Sequence, residues 1–365
     1  MTNRWHTAFK LDPKSGIPLY RQFAEGLTES IRSETFLPGD VLPSVSDWAK
    51  ALGCSVFVPR KAMGILARQN VLSIKKHVGA TVTGRLNQTR KKRSVLYITV
   101  DNGDIWSRNV FAFHLGDILW ESGFRFRHIS IRRDCQGRIP ASLKDEIRQG
   151  VDFALFETSN PDIMAPLKKA GIPFAVIATG QKEFPGAKAV FRHIDATLAQ
   201  QIVSLLKRTG CHRIIHVGYG KWTNDYLSAA IYSAGIRIQR HNLDTSFSVT
   251  PPEQWERSAM RKFEERLSHG KDWLPDAFIF SDDYIAAGAL HALMHNSVRI
   301  PEDVKVLTLA NKGLGPVFQS PLTRFELDNK ANARKVARWI CSALSGRTPP
   351  PPICLTAKLI RGKTL

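Results

Sequence analysis

The hydrophobic pattern of this 365-residue chain changes character at Ser94. Before it, apolar residues recur at helical spacing between turn signals and finish in a short alternating run. After it, continuous apolar runs alternate with amphipathic stretches, the pattern of a parallel sheet wrapped in helices. The two patterns belong to different fold classes, and the length alone implies two or three domains.

Charge divides along the same line. The net charge is +20; residues 1–93 hold 16 Lys and Arg against 6 Asp and Glu, and the rest hold 36 against 26. The front therefore carries about three times the net charge per residue. Such density fits a polyanionic partner, nucleic acid foremost, although an ordinary solvated basic surface has the same composition. The five cysteines, at 54, 135, 211, 341 and 354, form no C-x-x-C pair, which argues against a disulfide framework or a zinc site. The first residues are polar and charged, and no apolar run approaches a membrane span. A cytoplasmic protein without membrane contact is expected.

In the front segment, Leu19, Phe23, Leu27 and Ile31 predict an amphipathic helix over about 18–34, with Pro18 in its first turn. Pro38-Gly39-Asp40 is a turn. Ser44 can cap a second helix, 45–51, ended by Gly53, and Ser55 a third, about 56–69. Val71–Ile74 and Ala80–Val82 flank the basic tip Lys75, Lys76, His77. Three helices and a two-stranded wing make a winged helix-turn-helix, whose third helix enters the major groove while the wing lies by a phosphate backbone.

Pro18 to Gln22, Pro38-Gly39-Asp40, Leu42-Pro43-Ser44, Ala49, Leu52-Gly53, Ser55, Arg60, Ala62, Leu66 and Gly79-x-Thr81 resemble the GntR family of bacterial transcriptional regulators. The resemblance implies DNA contacts from Ser44, Ser46, Ser55, Arg60, Lys61, Lys75, Lys76 and His77. Each lysine is also compatible with a plain solvated charge. The family usually carries arginines where Ser46 and Val56 stand, and a threonine where Val58 stands; of the usual basic contacts Arg60 remains. Pro59 biases Val58 away from helix. Losing two arginines implies weaker reading or different bases.

Residues 84–93 are polar, basic and aperiodic, a connector that can add salt-sensitive phosphate contacts. From Val95–Val100 onward the order of strands and helices predicts two doubly wound halves, with a ligand cleft at the carboxyl ends of their strands. Ile194-Asp195, Gly210 to Ile214, Gly235-Ile236, Pro275 to Asp283, Ala286 with Gly288, Ile300 to Val304 and Pro321-Leu322-Thr323 resemble the sugar-responsive domain of the LacI family. By that resemblance Trp106, Asp195, Trp222, Phe247, Asp282 and Asn311 are candidates for ligand contact. Trp106 and Phe247 are equally compatible with core packing, and Asp195 with a helix cap. Two polar clamps usual in the family are replaced here by Thr223 and Ala310.

Catalysis is not expected. Gly218-Tyr219-Gly220 follows a strand, but Thr223 takes the third glycine position of a dinucleotide fingerprint. No Walker loop, G-x-S-x-G or H-E-x-x-H occurs. Asp282-Asp283 suits a helix cap better than a metal pair, because adjacent residues entering a helix diverge.

The expected architecture is an N-terminal winged helix-turn-helix (α+β), 1–83, a basic linker, 84–93, and a C-terminal α/β two-lobed periplasmic-binding-protein-like domain, 94–365. It resembles a GntR/LacI hybrid regulator of the arabinose-repressor layout. That implies a homodimeric repressor on a double-stranded operator, answering to a small effector, a sugar, with no cofactor and no metal. The alternative is a divergent regulator that binds DNA without an effector and acts through protein contacts.

Overall fold

A computed structural model describes residues 8–15, 17–76, 78–84, 93–101, 110–132, 141–157, 161–178, 183–192, 196–218, 226–238, 254–313, 315–349, 351, 355 and 357–365. The chain forms two compact units, 1–93 with 117–125, and 94–116 with 126–365.

The first unit contains α1 (Leu19–Arg32), α2 (Val45–Leu52), α3 (Phe57–Arg68), β1 (Leu72–Lys75) and β2 (Gly79–Val82). Its elements lie within about two residues of the sequence expectation. The inward stripes of the three helices meet on Trp48, which is fully buried with Phe23, Leu27, Ala62, Ile65 and Leu66. Phe9 stacks on the Trp48 indole at 5.5 Å, and Phe23 and Phe36 approach it edge-on. A Cβ on Gly26 would fall 2.4 Å from the Phe9 ring, so a side chain there would expel Phe9. β1 and β2 pair antiparallel from Leu72 opposite Val82 to Lys75 opposite Gly79, the wing the alternation predicts.

Val58 departs from its expectation. It is helical, because Pro59 occupies the third position of α3. There the amide that proline lacks would have no intrahelical partner.

The second unit holds two sheets. The first has the order β4-β3-β5-β6-β7, from β3 (Ser94–Asp101), β4 (Arg125–Arg132), β5 (Phe153–Phe156), β6 (Phe174–Ala178) and β7 (Ala189–Arg192). Within it β3, β5, β6 and β7 pair in parallel. Its helices are α4 (Val110–Glu121), whose residues from Asp117 on belong to the first unit, α5 (Ala141–Gln149) and α6 (Pro161–Lys169). The chain passes through α7 (Ala196–Arg208) into the second sheet. That sheet comprises β8 (Arg213–Val217), β9 (Arg237–Ile238), β10 (Ala277–Phe280), β11 (Lys305–Asn311), β12 (Thr323–Leu327) and β13 (Ala357–Ile360), in the order β13-β12-β11-β10-β8-β9. All its pairs are parallel except β12 with β13.

Helices α8 (Tyr226–Ser233), α9 (Trp255–Leu267), α10 (Asp283–His295) and α11 (Asn329–Leu344) complete the unit. Apolar runs make the central strands: Phe153–Phe156 and Ala277–Phe280 are buried at every position, as strands covered on both faces must be. α11 links the sheets. It starts beside β11 through Asn329, and its Trp339 packs on Phe153 and Phe191 of the first sheet. The pattern does not single out β7 or β12. β7 has four residues, and β12 alternates buried and half-buried residues over only five.

Candidate functional site

In the first unit the site begins with two caps. The Ser44 hydroxyl accepts from the Asp47 amide at 3.1 Å, and the Asp47 carboxylate accepts from the Ser44 amide at 3.2 Å, closing a capping box on α2. Ser44 thus spends its side chain on the helix, while Ser46 stays exposed. Gly53 turns the chain with φ 60°, ψ 37°. The Ser55 hydroxyl accepts from the Phe57 amide at 3.3 Å, starting α3.

Helix α3 is two-sided. Val58, Pro59, Ala62, Met63, Ile65 and Leu66 are buried. Val56 and Phe57 are exposed, at 38% and 63%, as is Arg60. One turn further on, Gly64 has no protein atom within 4 Å of where a Cβ would stand. Phe57, Arg60 and Gly64 recur at helical spacing on the outward side. Lys61 is turned elsewhere. Its ammonium sits 3.6 Å from the Tyr20 ring centroid and 3.4 Å from Glu121. Within the same unit Asp117 accepts from Tyr20 at 3.1 Å and Arg21 at 2.7 Å. Burial, then Asp117, raises the Tyr20 phenol pKa.

Lys75 and Lys76 are exposed at the wing, with Ile74 and Val78. His77 lies outside the described residues. Sequence reasoning passed over Phe57; the signal was an aromatic off the inward stripe of α3.

In the second unit Asp282 follows β10, and Asn311 ends β11, both at carboxyl ends of parallel strands. Neither side chain is idle. One Asp282 oxygen accepts from the amides of Tyr284 and Ile285, at 2.9 and 3.1 Å, which makes it the N-cap of α10. The buried Asp283 carboxylate accepts from the Asn311 amide at 3.0 Å and from its carboxamide at 3.1 Å. The Asn311 side-chain oxygen accepts from Asn329 at 2.6 Å. Burial raises the Asp283 pKa, and the Asn311 bonds partly offset it. Asp282 and Asn311 thus sit at one end of the sheet, linked through Asp283.

His216, on β8 opposite Ile279 of β10, is buried, and burial lowers its imidazole to about 3, so it is neutral at ordinary pH. Gly218 is required by a close approach rather than by a phosphate. A Cβ there would lie 1.8 Å from the Ser281 hydroxyl and 3.1 Å from the His216 ring. Trp106, Asp195, Trp222 and Phe247 lie outside the described residues.

A hollow of about 310 Å³ lies between α9, α10 and residues 316–318. It takes in Asp283 but neither Asp282 nor Asn311, and its apolar lining includes Met294 and Val317, the latter 99% exposed. Among the described residues no group of side chains is placed to hold a metal ion, and no helix is long and apolar enough to cross a membrane.

Comparison with known proteins matches both parts. Residues 19–82 match the model for bacterial regulatory proteins of the gntR family, and residues 203–365 match that for a periplasmic binding protein-like domain. The HTH-type transcriptional regulator LacR of Lactobacillus helveticus is 31% identical over 64 residues, 18% of this chain and 19% of that protein. The match therefore spans less than a fifth of that relative's length. The HTH-type transcriptional regulator GalR of Streptococcus thermophilus is 22% identical over 269 residues, 70% of this chain and 76% of that one. Among solved structures, a LacI family transcriptional regulator from Arthrobacter sp. FB24 in complex with lactose has a TM-score of 0.56 at 19% identity. It covers 75% of this chain and 99% of its own. At that identity the likeness is one of fold.

Proposed function

We propose that this chain, which joins a GntR-family helix-turn-helix domain to a periplasmic-binding-protein-like domain, is a cytoplasmic transcription regulator. It acts as a repressor, and a sugar bound in its second domain controls its hold on an operator. The observation that carries this is the pairing of the two matched domains in one chain. A basic front unit with Arg60, Lys75 and Lys76 exposed supplies phosphate attraction and base contact. A second unit with two sheets supplies a closable cleft. A ligand moves the DNA equilibrium only by binding the two conformations unequally.

The sugar rests on the lactose-bound structural neighbour, which this chain resembles in fold. A homodimer fits a palindromic operator. Met294 and Val317, exposed apolar residues that line one hollow of the second unit, favour that self-association, since contiguous exposed apolar surface marks protein contacts.

A thermal-shift screen of the full chain against mono- and disaccharides tests the sugar. A ligand that binds the folded state alone raises the melting temperature by mass action. The sugar that does so is expected to change DNA affinity as well. A silent panel on folded protein, with specific DNA binding intact, would favour the second reading, a regulator without a small effector. One observation supports that reading: Asp282 and Asn311 already spend side-chain bonds on the α10 cap and on Asp283 and Asn329.

A further inference from the structure

We propose that the front of α3 reads thymine through its 5-methyl group, with Phe57 as the contacting side chain and Val56 beside it. The inference rests on the reading above, that this face meets DNA, and names what it reads there. Val58 and Pro59 are buried, so Val56, Phe57 and Arg60 are what the first turn of α3 shows to solvent.

A phenyl ring donates and accepts no conventional hydrogen bond. In the major groove the edges of guanine, cytosine and adenine present donors and acceptors, and thymine alone presents a methyl group. Setting Phe57 over a polar edge would strip that edge of water without replacing its partner, which is penalised. Setting it over a thymine methyl buries apolar surface on both sides. The site is therefore biased towards A·T pairs where an arginine would favour guanine.

Two further observations place the occupant as duplex DNA. The ring stands in a segment of net charge +10, three residues before the exposed Arg60, which suits a polyanion. Seven residues beyond Phe57, Gly64 leaves the helix backbone bare where no protein atom requires it, with room for close approach of a groove wall.

The test is a selection of binding sites by the full chain from random duplexes, followed by replacement of each thymine in the selected site by deoxyuridine. Deoxyuridine pairs identically and lacks the methyl group. At one position or more in each half-site the replacement is expected to weaken the wild type about fourfold, the worth of one buried methyl-sized group. Phe57→Ala, a change at an exposed position, is expected to bind thymine and deoxyuridine duplexes equally. Circular dichroism and a cooperative melt establish that the variant is folded.

A wild type indifferent to deoxyuridine at every position overturns the inference and leaves DNA binding standing. A Phe57→Ala variant that keeps full deoxyuridine sensitivity overturns the assignment to Phe57. A selection that enriches no site, with the protein folded, overturns the DNA reading and this inference together.

Discussion

The buried carboxylate of Asp283 accepts two hydrogen bonds from Asn311, from its amide at 3.0 Å and its carboxamide at 3.1 Å. This joins the start of α10 to the end of β11. Asn311 passes the link to Asn329 at the start of α11, the helix whose Trp339 packs on the other sheet. A strand end that faces the expected cleft is thereby tied to an element shared by both sheets.

Asp283→Ala leaves two Asn311 donors without their acceptor and is expected to cost about 1–3 kcal/mol in denaturant unfolding. Asp283→Asn keeps an accepting oxygen and removes the buried charge. Burial raises the Asp283 pKa, so the native state holds its proton more tightly than the unfolded chain. Stability from this group therefore falls as pH rises from about 4 through the raised value. The Asn variant should lack that fall, which unfolding curves across this window would reveal.

His216 gives the opposite slope. Its folded pKa is lowered to about 3, against an ordinary value of 6.5. The neutral ring is accommodated and the charged one is not. Stability from this group is complete above pH 6.5 and is lost as pH falls, at about 1.4 kcal/mol per pH unit until the folded value is reached. Between pH 5.5 and 4.5 the wild type should lose about that much relative to His216→Leu. Parallel denaturant melts at the two pH values measure it.

Gly288 lies where α10 crosses α9. A Cβ there would stand 1.9 Å from the backbone oxygen of Glu256. Backbone cannot swing aside as a side chain can, so Gly288→Ala must part the helices. The expected cost is about 1–3 kcal/mol, seen as a lower denaturation midpoint.

Gly64 is the contrasting case. It lies inside α3 with nothing around it, so Gly64→Ala should stabilise the fold by about 1 kcal/mol through helix propensity. If the outward side of α3 approaches DNA closely, the same variant binds DNA more weakly. A melt and a binding titration on one preparation separate the two effects.

Much of the fold was legible in local pattern. Turn residues, caps and period marked α1 to α3, the wing and the central strands within a few residues, because each depends on neighbours close in the chain. Ser44 and Gly53 are such cases. β7 and β12 were not legible, since a strand of four or five residues is made by the strands it pairs with.

The site residues divide the same way. The sequence by itself determined that Val56 stands where an arginine is usual, with the aromatic Phe57 after it, that the front is strongly basic, and that Asp282 precedes a helix. Only the tertiary structure decided that Phe57 faces outward while Lys61 is held against Tyr20 and Glu121. It alone decided that Asn311 is bonded to Asp283, 28 residues away in the chain. It also showed that Gly218 and Gly288 are bare to admit Ser281 and Glu256. The physical reason is range. Caps, turns and periodicity act over a few residues, whereas the direction a side chain takes and the space beside a glycine are set by chain segments that meet only on folding.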